Sequence, residues 1–502
     1  MIRSVLDFLE NTEEKYGQKL AYWDENNHIT FSELKELSRK IGSFLAEKIS
    51  KNQPVLTYMP KCVECIESFL GIIYAGGFYV PIDTDMPVAR VQHIMNTCKS
   101  NIIIAKKGYE IPSEISENAE ILFVEDMLKT SIEEEKLSEI RRHLIDADPI
   151  YAIFTSGSTG VPKGVLVSER SVINFTDWYT ETFEFSENEV FANQTPFYFD
   201  ASVKDIYATL KCGATMYIVP HKLFSLPKAL IEFLNEHKVN AIDWVPSVLC
   251  MVVNFHTFRK VKPEYLKKVI FLGEVMPTKQ FNMWREELPD IKYANVYGPT
   301  EATSDCAYYK INRDFSDDEP IPIGEACENT EIMLLTDDGK RITEQGELGE
   351  ICVRGVSLAL GYYNDLEKTD SVFTQNPLQN SYLERIYHTG DLGKYNEYNE
   401  IVFVSRKDFQ IKHMGHRIEL GEIENAINAI DGVGRVACIY DDVKKKIIAV
   451  YEGECDKETL IKEAQKKIPQ YMIPNIIYSV DSLPLNLNGK IDRVALKKEY
   501  IG

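Results

Sequence analysis

The stretch Tyr151-Ala-Ile-Phe-Thr-Ser-Gly-Ser-Thr-Gly-Val-Pro-Lys-Gly164 decides how this chain is read. Its apolar opening, Tyr151 to Phe154, reads as a strand, and the residues after it are nearly all small, hydroxylated or Gly. Gly157, Gly160 and Gly164 are expected to let the backbone approach a ligand closely and to take positive φ. Thr155, Ser156, Ser158 and Thr159 supply hydroxyls, the backbone supplies N–H groups, and Lys163 adds one positive charge. A nest of N–H donors with hydroxyls and a cation is the chemistry of a polyphosphate cradle. The spacing does not satisfy G-x-x-x-x-G-K-[ST], so this is not a Walker loop. A flexible Ser/Gly linker is the alternative. The apolar run before the loop and its Pro162-Lys163-Gly164 ending argue for an ordered one instead.

Outward from this loop, 502 residues are too many for one ordinary core, so two or more domains are expected. Hydrophobic residues at 44% and charged residues at 26% make a soluble globular mix. No run of 18 apolar residues is present, so no membrane span is expected. Met1-Ile-Arg-Ser-Val-Leu-Asp lacks the apolar core of a secretory signal. A net charge of −21 without a basic block disfavours nucleic acid or an anionic membrane as partner. The densest cluster, Lys444-Lys445-Lys446, reads as a solvated turn. Ten Cys are scattered without paired spacing, which points to a reducing, cytoplasmic compartment. Cys62-Val-Glu-Cys65 has no second pair, so core thiols are favoured over a zinc site.

Along the chain, Ser4 is an N-cap candidate for a first helix. Thr30 or Ser32 can cap a second, amphipathic one carrying Leu37, Ile41, Phe44 and Leu45, with Glu33 in its first turn. Residues 54–106 alternate strand, helix, strand, helix, strand, which predicts a parallel or mixed sheet covered by helices. Residues 110–145 are acidic and read as an irregular surface excursion. Beyond the loop the alternation resumes with strands near 214–219, 241–245, 269–272 and 294–297. Ligands in open α/β sheets collect at the carboxyl ends of strands. That makes Asp243, Gly273-Glu274 and Gly298-Pro-Thr-Glu301 candidate site loops. From 310 to 405 short β pieces and turns predict a small β subdomain, with Asp337-Asp-Gly339 as a hairpin tip. The expected architecture is α/β. Residues 1–405 form a large N-terminal domain of α/β subdomains plus the small β subdomain, and residues 406–502 form a small mobile α+β domain.

The loop resembles the phosphate-loop signature of the adenylate-forming enzymes: acyl-CoA synthetases, luciferases and the adenylation domains of nonribosomal peptide synthetases. The resemblance extends over nearly the whole chain. Before the loop stand Ile29-Thr-Phe-Ser-Glu-Leu34 and Tyr74-Ala-Gly-Gly-Phe-Tyr-Val-Pro-Ile-Asp83. After it come Asn295-Val-Tyr-Gly-Pro-Thr-Glu-Ala302, Gly346-Glu-Leu-Gly-Glu-Ile-Cys-Val-Arg-Gly355 and Tyr387-His-Thr-Gly-Asp-Leu392. The C-terminal part carries Arg406-Lys-Asp-Phe-Gln-Ile-Lys412, Gly415-His-Arg-Ile-Glu-Leu-Gly-Glu-Ile-Glu424, Pro469-Gln-Tyr-Met-Ile-Pro474 and Asn488-Gly-Lys-Ile-Asp-Arg493.

The resemblance implies ATP and Mg²⁺ as cofactors, with Glu301 and Thr155 at the metal. It gives Lys163 a catalytic place in the loop, and implies nucleotide contacts from Gly273, Glu274, Asn295, Gly298 and Thr300. Tyr297 would offer a ring face to adenine. Asp391 would accept hydrogen bonds from the ribose diol, with Arg406 as an added donor. Lys490 would swing in to neutralise the carboxylate and α-phosphate during adenylation. Asp408 is the implied hinge, about which the C-terminal domain rotates before a thiol attacks the adenylate. Ser405 stands where the family usually has Gly.

The segment Phe197-Tyr-Phe-Asp-Ala-Ser-Val-Lys204 bears on the acid. In amino-acid-activating members an Asp at the position of Asp200 pairs with the substrate ammonium, and a buried carboxylate needs such a partner. The other implied pocket positions are Ala201, Lys204, Asp243, Ile270, Leu272, Val296, Ser304 and Asp305. Two readings stay open. Lys204, Asp243 and Asp305 can form an internal ionic cluster, or Lys204 can meet a substrate carboxylate, as in glutamate-activating domains. Leu272 should shorten the pocket. Phe175-Thr-Asp-Trp178, Asn193-Gln-Thr-Pro-Phe197 and Phe271-Leu-Gly-Glu-Val275 resemble the free-standing D-alanine–carrier protein ligases.

The expected function is amino-acid adenylation, with D-alanine or a small or acidic amino acid as substrate, and transfer to the phosphopantetheine thiol of a separate carrier protein. A monomer is expected. An acyl-CoA synthetase for a non-amino acid is the rival enzyme, and Asp200 argues against it. A catalytically silent binding protein is the other rival. Intact Thr155, Lys163, Glu301, Asp391 and Lys490 argue against that.

Overall fold

The computed structural model describes residues 2–157, 162–408, 410–485 and 491–502. Ser4 caps the first helix, Val5–Tyr16, in a reciprocal box with Asp7, and Thr30 does the same for Phe31–Leu45 with Glu33. The run 54–106 forms the parallel strands Pro54–Tyr58, Phe78–Ile82 and Ile102–Ala105. They belong to a seven-stranded sheet that Pro149–Thr155 joins in parallel and Lys163–Ser168 then reverses.

A nine-stranded sheet carries Val190–Asn193, Thr215–Ile218, Ala241–Trp244, Lys268–Phe271 and Lys292–Tyr297, all mutually parallel. Their carboxyl ends therefore open on one edge. One apolar core contains residues from both sheets and from the helices Phe31–Leu45, Val63–Tyr74, Glu169–Thr182 and Ser202–Cys212. The two sheets are thereby locked into one body.

A five-stranded antiparallel sheet follows, built on Thr330–Leu335, Gly349–Gly355 and Arg385–Tyr395. The C-terminal domain has its own core under the strands Val433–Asp441, Lys446–Gly453 and Ile476–Val480. It begins with a hairpin, Gln410–His413 and His416–Glu419.

Residues 110–145 differ from the expected irregular excursion. Glu120–Phe123 is a parallel edge strand beside Ile102–Ala105, and Glu134–His143 is a helix. The strand fully buries only Leu122 and the helix only Leu137, too few apolar positions to show a period. All ten cysteines are free, and Cys62 and Cys65 are core thiols 3.8 Å apart. Among the described residues, no helix is long and apolar enough to cross a membrane.

Candidate active site

The described ends of the stretch 151–164 lie on two antiparallel strands, Pro149–Thr155 and Lys163–Ser168, with Thr155 paired to Lys163. Gly164 corrects one expectation. It lies opposite Phe154 at ordinary φ, and a Cβ there would come within 2.8 Å of the Phe154 ring. Its smallness serves packing, not a left-handed turn. Among the described residues the buried Thr155 hydroxyl has no hydrogen-bond partner, which leaves it open to a ligand. Ser156 Oγ donates to the Arg417 carbonyl at 2.7 Å and accepts the Glu419 amide at 3.2 Å. The Gly157 amide bonds Glu422. Ser158, Thr159, Gly160 and Lys490 lie outside the described residues.

Glu301 sits, fully buried, on the single turn Thr300–Ala302 after the strand Lys292–Tyr297. Tyr362 OH donates to its Oε1 at 2.6 Å, and Lys163 Nζ lies 3.2 Å from the same oxygen. Arg417 Nη1 holds Oε2 at 2.5 Å. Burial alone would raise this carboxyl, but Arg417, Lys163 and Tyr362 together keep it well below the usual range. The chain then folds tightly back: a Cβ on Gly298 would meet the Ser304 carbonyl at 2.2 Å. Thr303 and Ser304 take left-handed φ of 55° and 70°, strain held by surrounding structure at the pocket floor.

Tyr297 OH donates to Asp391 Oδ2 at 2.5 Å, and Arg406 bonds Asp391 Oδ1 from the facing strand. Both carboxylate oxygens of Asp391 thus have one fixed partner each. Glu274, implied to contact the nucleotide, has its oxygens accepting the Ser247 and Gly415 amides, each at 3.0 Å. That leaves the Gly273 backbone on the cleft wall. Asn295 is turned away, donating to the Pro322 carbonyl at 2.7 Å.

Asp200, Ala201, Leu272 and Ser304 line one end of the cleft. Asp200 accepts the Ala201 amide at 2.9 Å and the Thr300 hydroxyl. Burial raises its carboxyl, and among the described residues no cation lies within ion-pair reach of it. Behind this wall Lys204 Nζ lies 2.8 Å from Asp243 Oδ2 and 3.3 Å from Asp305 Oδ2, all three fully buried. Tyr179 OH adds a hydrogen bond to Asp243 at 2.7 Å. Burial outweighs Lys204 at Asp305 and pushes that carboxyl up to about 7. Ile270 and Val296 are core residues beneath the strands and do not line the cleft.

The C-terminal hairpin closes the cleft with Gln410, Lys412, Gly415 and Arg417, joined by Tyr471. Arg90 also lines it and reaches Glu422 of the C-terminal domain at 2.6 Å, both side chains 4% exposed. His416 stacks on Tyr471 at 3.8 Å. None of these was singled out from sequence. Gln410 and Lys412 stand inside the motif 406–412, Gly415, His416, Arg417 and Glu422 inside 415–424, and Tyr471 inside 469–474, and only those positions pointed to them.

A second cluster, Glu350, Cys352 and His388, could hold a metal. His388 Nδ1 already lies 3.0 Å from Glu350, and Lys407 Nζ lies 3.4 Å from the same carboxylate oxygen, so an ion-pair network accounts for it.

A hydroxyl-bearing hairpin, a buried carboxylate neutralised by cations, and Asp391 held between Tyr297 and Arg406, with the C-terminal hairpin against them, make the site of an adenylate-forming ligase. The AMP-binding enzyme profile matches residues 9–363, and that of the AMP-binding enzyme C-terminal domain matches residues 422–490. The chain belongs to the AMP-binding enzyme family. It is 33% identical to a D-alanine--D-alanyl carrier protein ligase of Bacillus licheniformis, over 98% of this chain and 99% of that one. It is 33% identical to zwittermicin A synthase ZmaJ of Bacillus cereus, over 93% and 90%. The Vibrio cholerae adenylation domain AlmE, solved with glycyl-adenosine-5'-phosphate, shares the fold with a TM-score of 0.86 at 19% identity, over 100% and 98%.

Proposed function

We propose that this enzyme adenylates a small neutral amino acid with ATP, releasing pyrophosphate, and passes the aminoacyl group to the thiol of a separate carrier protein. The observation that carries the substrate class is the Lys204–Asp243–Asp305 cluster. Lys204 is spent on two acids behind the wall, so it is not free to meet a substrate carboxylate. Leu272 limits depth, and Asp200, lacking a described cation, suits an α-ammonium. The D-alanine--D-alanyl carrier protein ligases among the relatives support the same choice.

The donor set fits a hard divalent cation: the Glu301 carboxylate and the partnerless Thr155 hydroxyl would hold Mg²⁺, which would neutralise phosphate charge. Lys163 would hold a phosphate oxygen, Asp391 with Arg406 would fix the ribose, and Lys490 would stabilise charge at the reacting carboxylate. Residues 406–502 would move as a unit about Asp408, whose carboxylate Arg406 grips with Nε and Nη2 at 2.7 and 2.8 Å. Ten free thiols suit a reducing compartment.

Amino-acid-dependent ATP–pyrophosphate exchange across both stereoisomers, with fatty and aryl acids alongside, tests this reading. Exchange with alanine, glycine or serine is expected, and exchange with glutamate alone or only with non-amino acids would overturn it. Asp200→Asn should raise the amino-acid KM about tenfold or more, as loss of a charged hydrogen-bonded partner does.

A further inference from the structure

The cleft lies where the carboxyl ends of two sheets meet. Thr155 closes a strand of the seven-stranded sheet, and Leu272 follows one of the nine-stranded sheet. In the nine-stranded sheet Val190–Asn193 pairs with Ala241–Trp244 at a single register position, Phe191 with Ala241. Beyond it the two strands part, and the chain runs through Gln194 to the cleft wall, where Thr195 and Asp200 stand. Lys61 reaches this point from the other sheet, just past the strand Pro54–Tyr58. Its Nζ donates to the Asn193 and Gln194 carbonyls, each at 3.1 Å, and lies 5.5 Å from the centre of the Phe197 ring. The Gln194 side chain in turn accepts the amide of Val245, another residue of the cleft wall, at 3.4 Å. Lys61 itself does not line the cleft.

We propose that Lys61 is a positioning residue for the amino-acid subsite: its ammonium ties the segment 193–200 of one sheet to the edge of the other, and so sets where Asp200 meets the substrate ammonium. The inference rests on the adenylation reading. Hydrogen bonds from a charged donor are roughly twice as strong as neutral ones, so one ammonium on two carbonyls holds a strand end that its neighbour has left. A wall fixed in advance costs the substrate no ordering, whereas a loose one weakens amino-acid binding and leaves the nucleotide alone. Burial pushes the Lys61 ammonium down to about 7, against the pull of Asp205 on the helix Ser202–Cys212, Asp83 after the strand Phe78–Ile82 and Cys65 on the helix Val63–Tyr74. The tie is therefore charged and firm below that value and weaker above it.

Pyrophosphate exchange with alanine, glycine and serine as probes tests this in Lys61→Met and Lys61→Arg, beside hydrogen–deuterium exchange of the free enzyme. In Lys61→Met the amino-acid KM should rise about tenfold, the effect of losing a charged hydrogen bond, with the ATP KM as in the wild type. The amides of 194–200 should exchange about fivefold faster, while native protection in the strands Val433–Asp441 and Lys446–Gly453 certifies the fold. Lys61→Arg keeps its charge at every pH and should recover part of the KM. Between pH 6 and pH 8 the wild-type amino-acid KM should rise about fivefold more than that of Lys61→Arg, as a charged donor becomes neutral. Asp205 and Asp305 are present in both, so the difference belongs to Lys61. Should Lys61→Met fail to fold, this pH comparison decides. A folded Lys61→Met with the wild-type amino-acid KM, equal rises in the amino-acid and ATP constants, or parallel pH profiles for wild type and Lys61→Arg overturns the inference. Absence of amino-acid-dependent exchange in the wild type would instead sink the adenylation reading, and only unchanged amide exchange over 194–200 in Lys61→Met would then sink the tie as well, so the two failures are distinguishable.

Discussion

Lys204 shows what one residue contributes. Its ammonium offsets two buried carboxylates, and removing one partner of such a group leaves charge without compensation, at a cost of about 3–5 kcal/mol. Lys204→Met should therefore lower the denaturation midpoint sharply and depress exchange with alanine and with glutamate alike. A loss confined to glutamate would show that Lys204 meets substrate. Asp305 gives the pH test. Its folded value, about 7, lies above the ordinary 3.8, so between the two values the folded chain holds the proton more tightly than the unfolded one. Stability then falls as pH rises through that window, by at most about 1.4 kcal/mol per unit. Asp305→Asn removes the slope. Thermal melts from pH 4 to pH 8 should show the variant gaining on the wild type as pH rises, and parallel curves would count against the assignment.

At the scale of an element, the strands Pro149–Thr155 and Lys163–Ser168 flank the proposed phosphate cradle. A strand returning antiparallel brings Lys163 opposite Thr155, where a strand running into a helix would have carried it away. The Phe154 ring lies over Gly164 and fills the space a side chain would need. Gly164→Ala should overpack this contact, cost about 1–3 kcal/mol and displace Lys163. Melting and pyrophosphate exchange should both fall. An unchanged melting point with normal exchange would show that the hairpin adapts without penalty.

For the whole molecule, the decisive contacts run between the domains. Arg90 and Glu422 pair 332 residues apart with both side chains buried. Arg90→Ala leaves Glu422 buried with the Gly157 amide but without its cation in this arrangement only, so it should penalise this arrangement more than global folding. Transfer to the carrier thiol should slow more than pyrophosphate exchange, and Arg90→Ala with Glu422→Ala should recover part of the loss. Equal slowing of both half-reactions would mean that the pair is not specific to docking. Single-turnover measurement of each half-reaction separates these outcomes.

Local pattern carried much of this protein. The caps at Ser4 and Thr30, the alternating strands and helices of 54–106, the hairpin tip at Asp337-Asp-Gly339 and the strand that opens at Tyr151 are set by neighbours in the chain, and they are legible there. The motif order pointed to the enzyme family for the same reason: each motif is a short run whose chemistry is complete in itself. The segment 110–145 escaped because its edge strand and its helix each bury too little to leave a period. What Lys204 pairs with was undecidable from sequence. Asp243 and Asp305 reach it only through the strand order of the nine-stranded sheet and the tight return after Gly298. Likewise the use of Glu274 by backbone amides, and the meeting of Arg417 with Glu301 across 116 residues, depend on how the lid seats on the large domain. Local periodicity specifies elements. Which charges are buried together is decided by packing between elements, because the cost of leaving any of them unpaired is met only in the assembled fold.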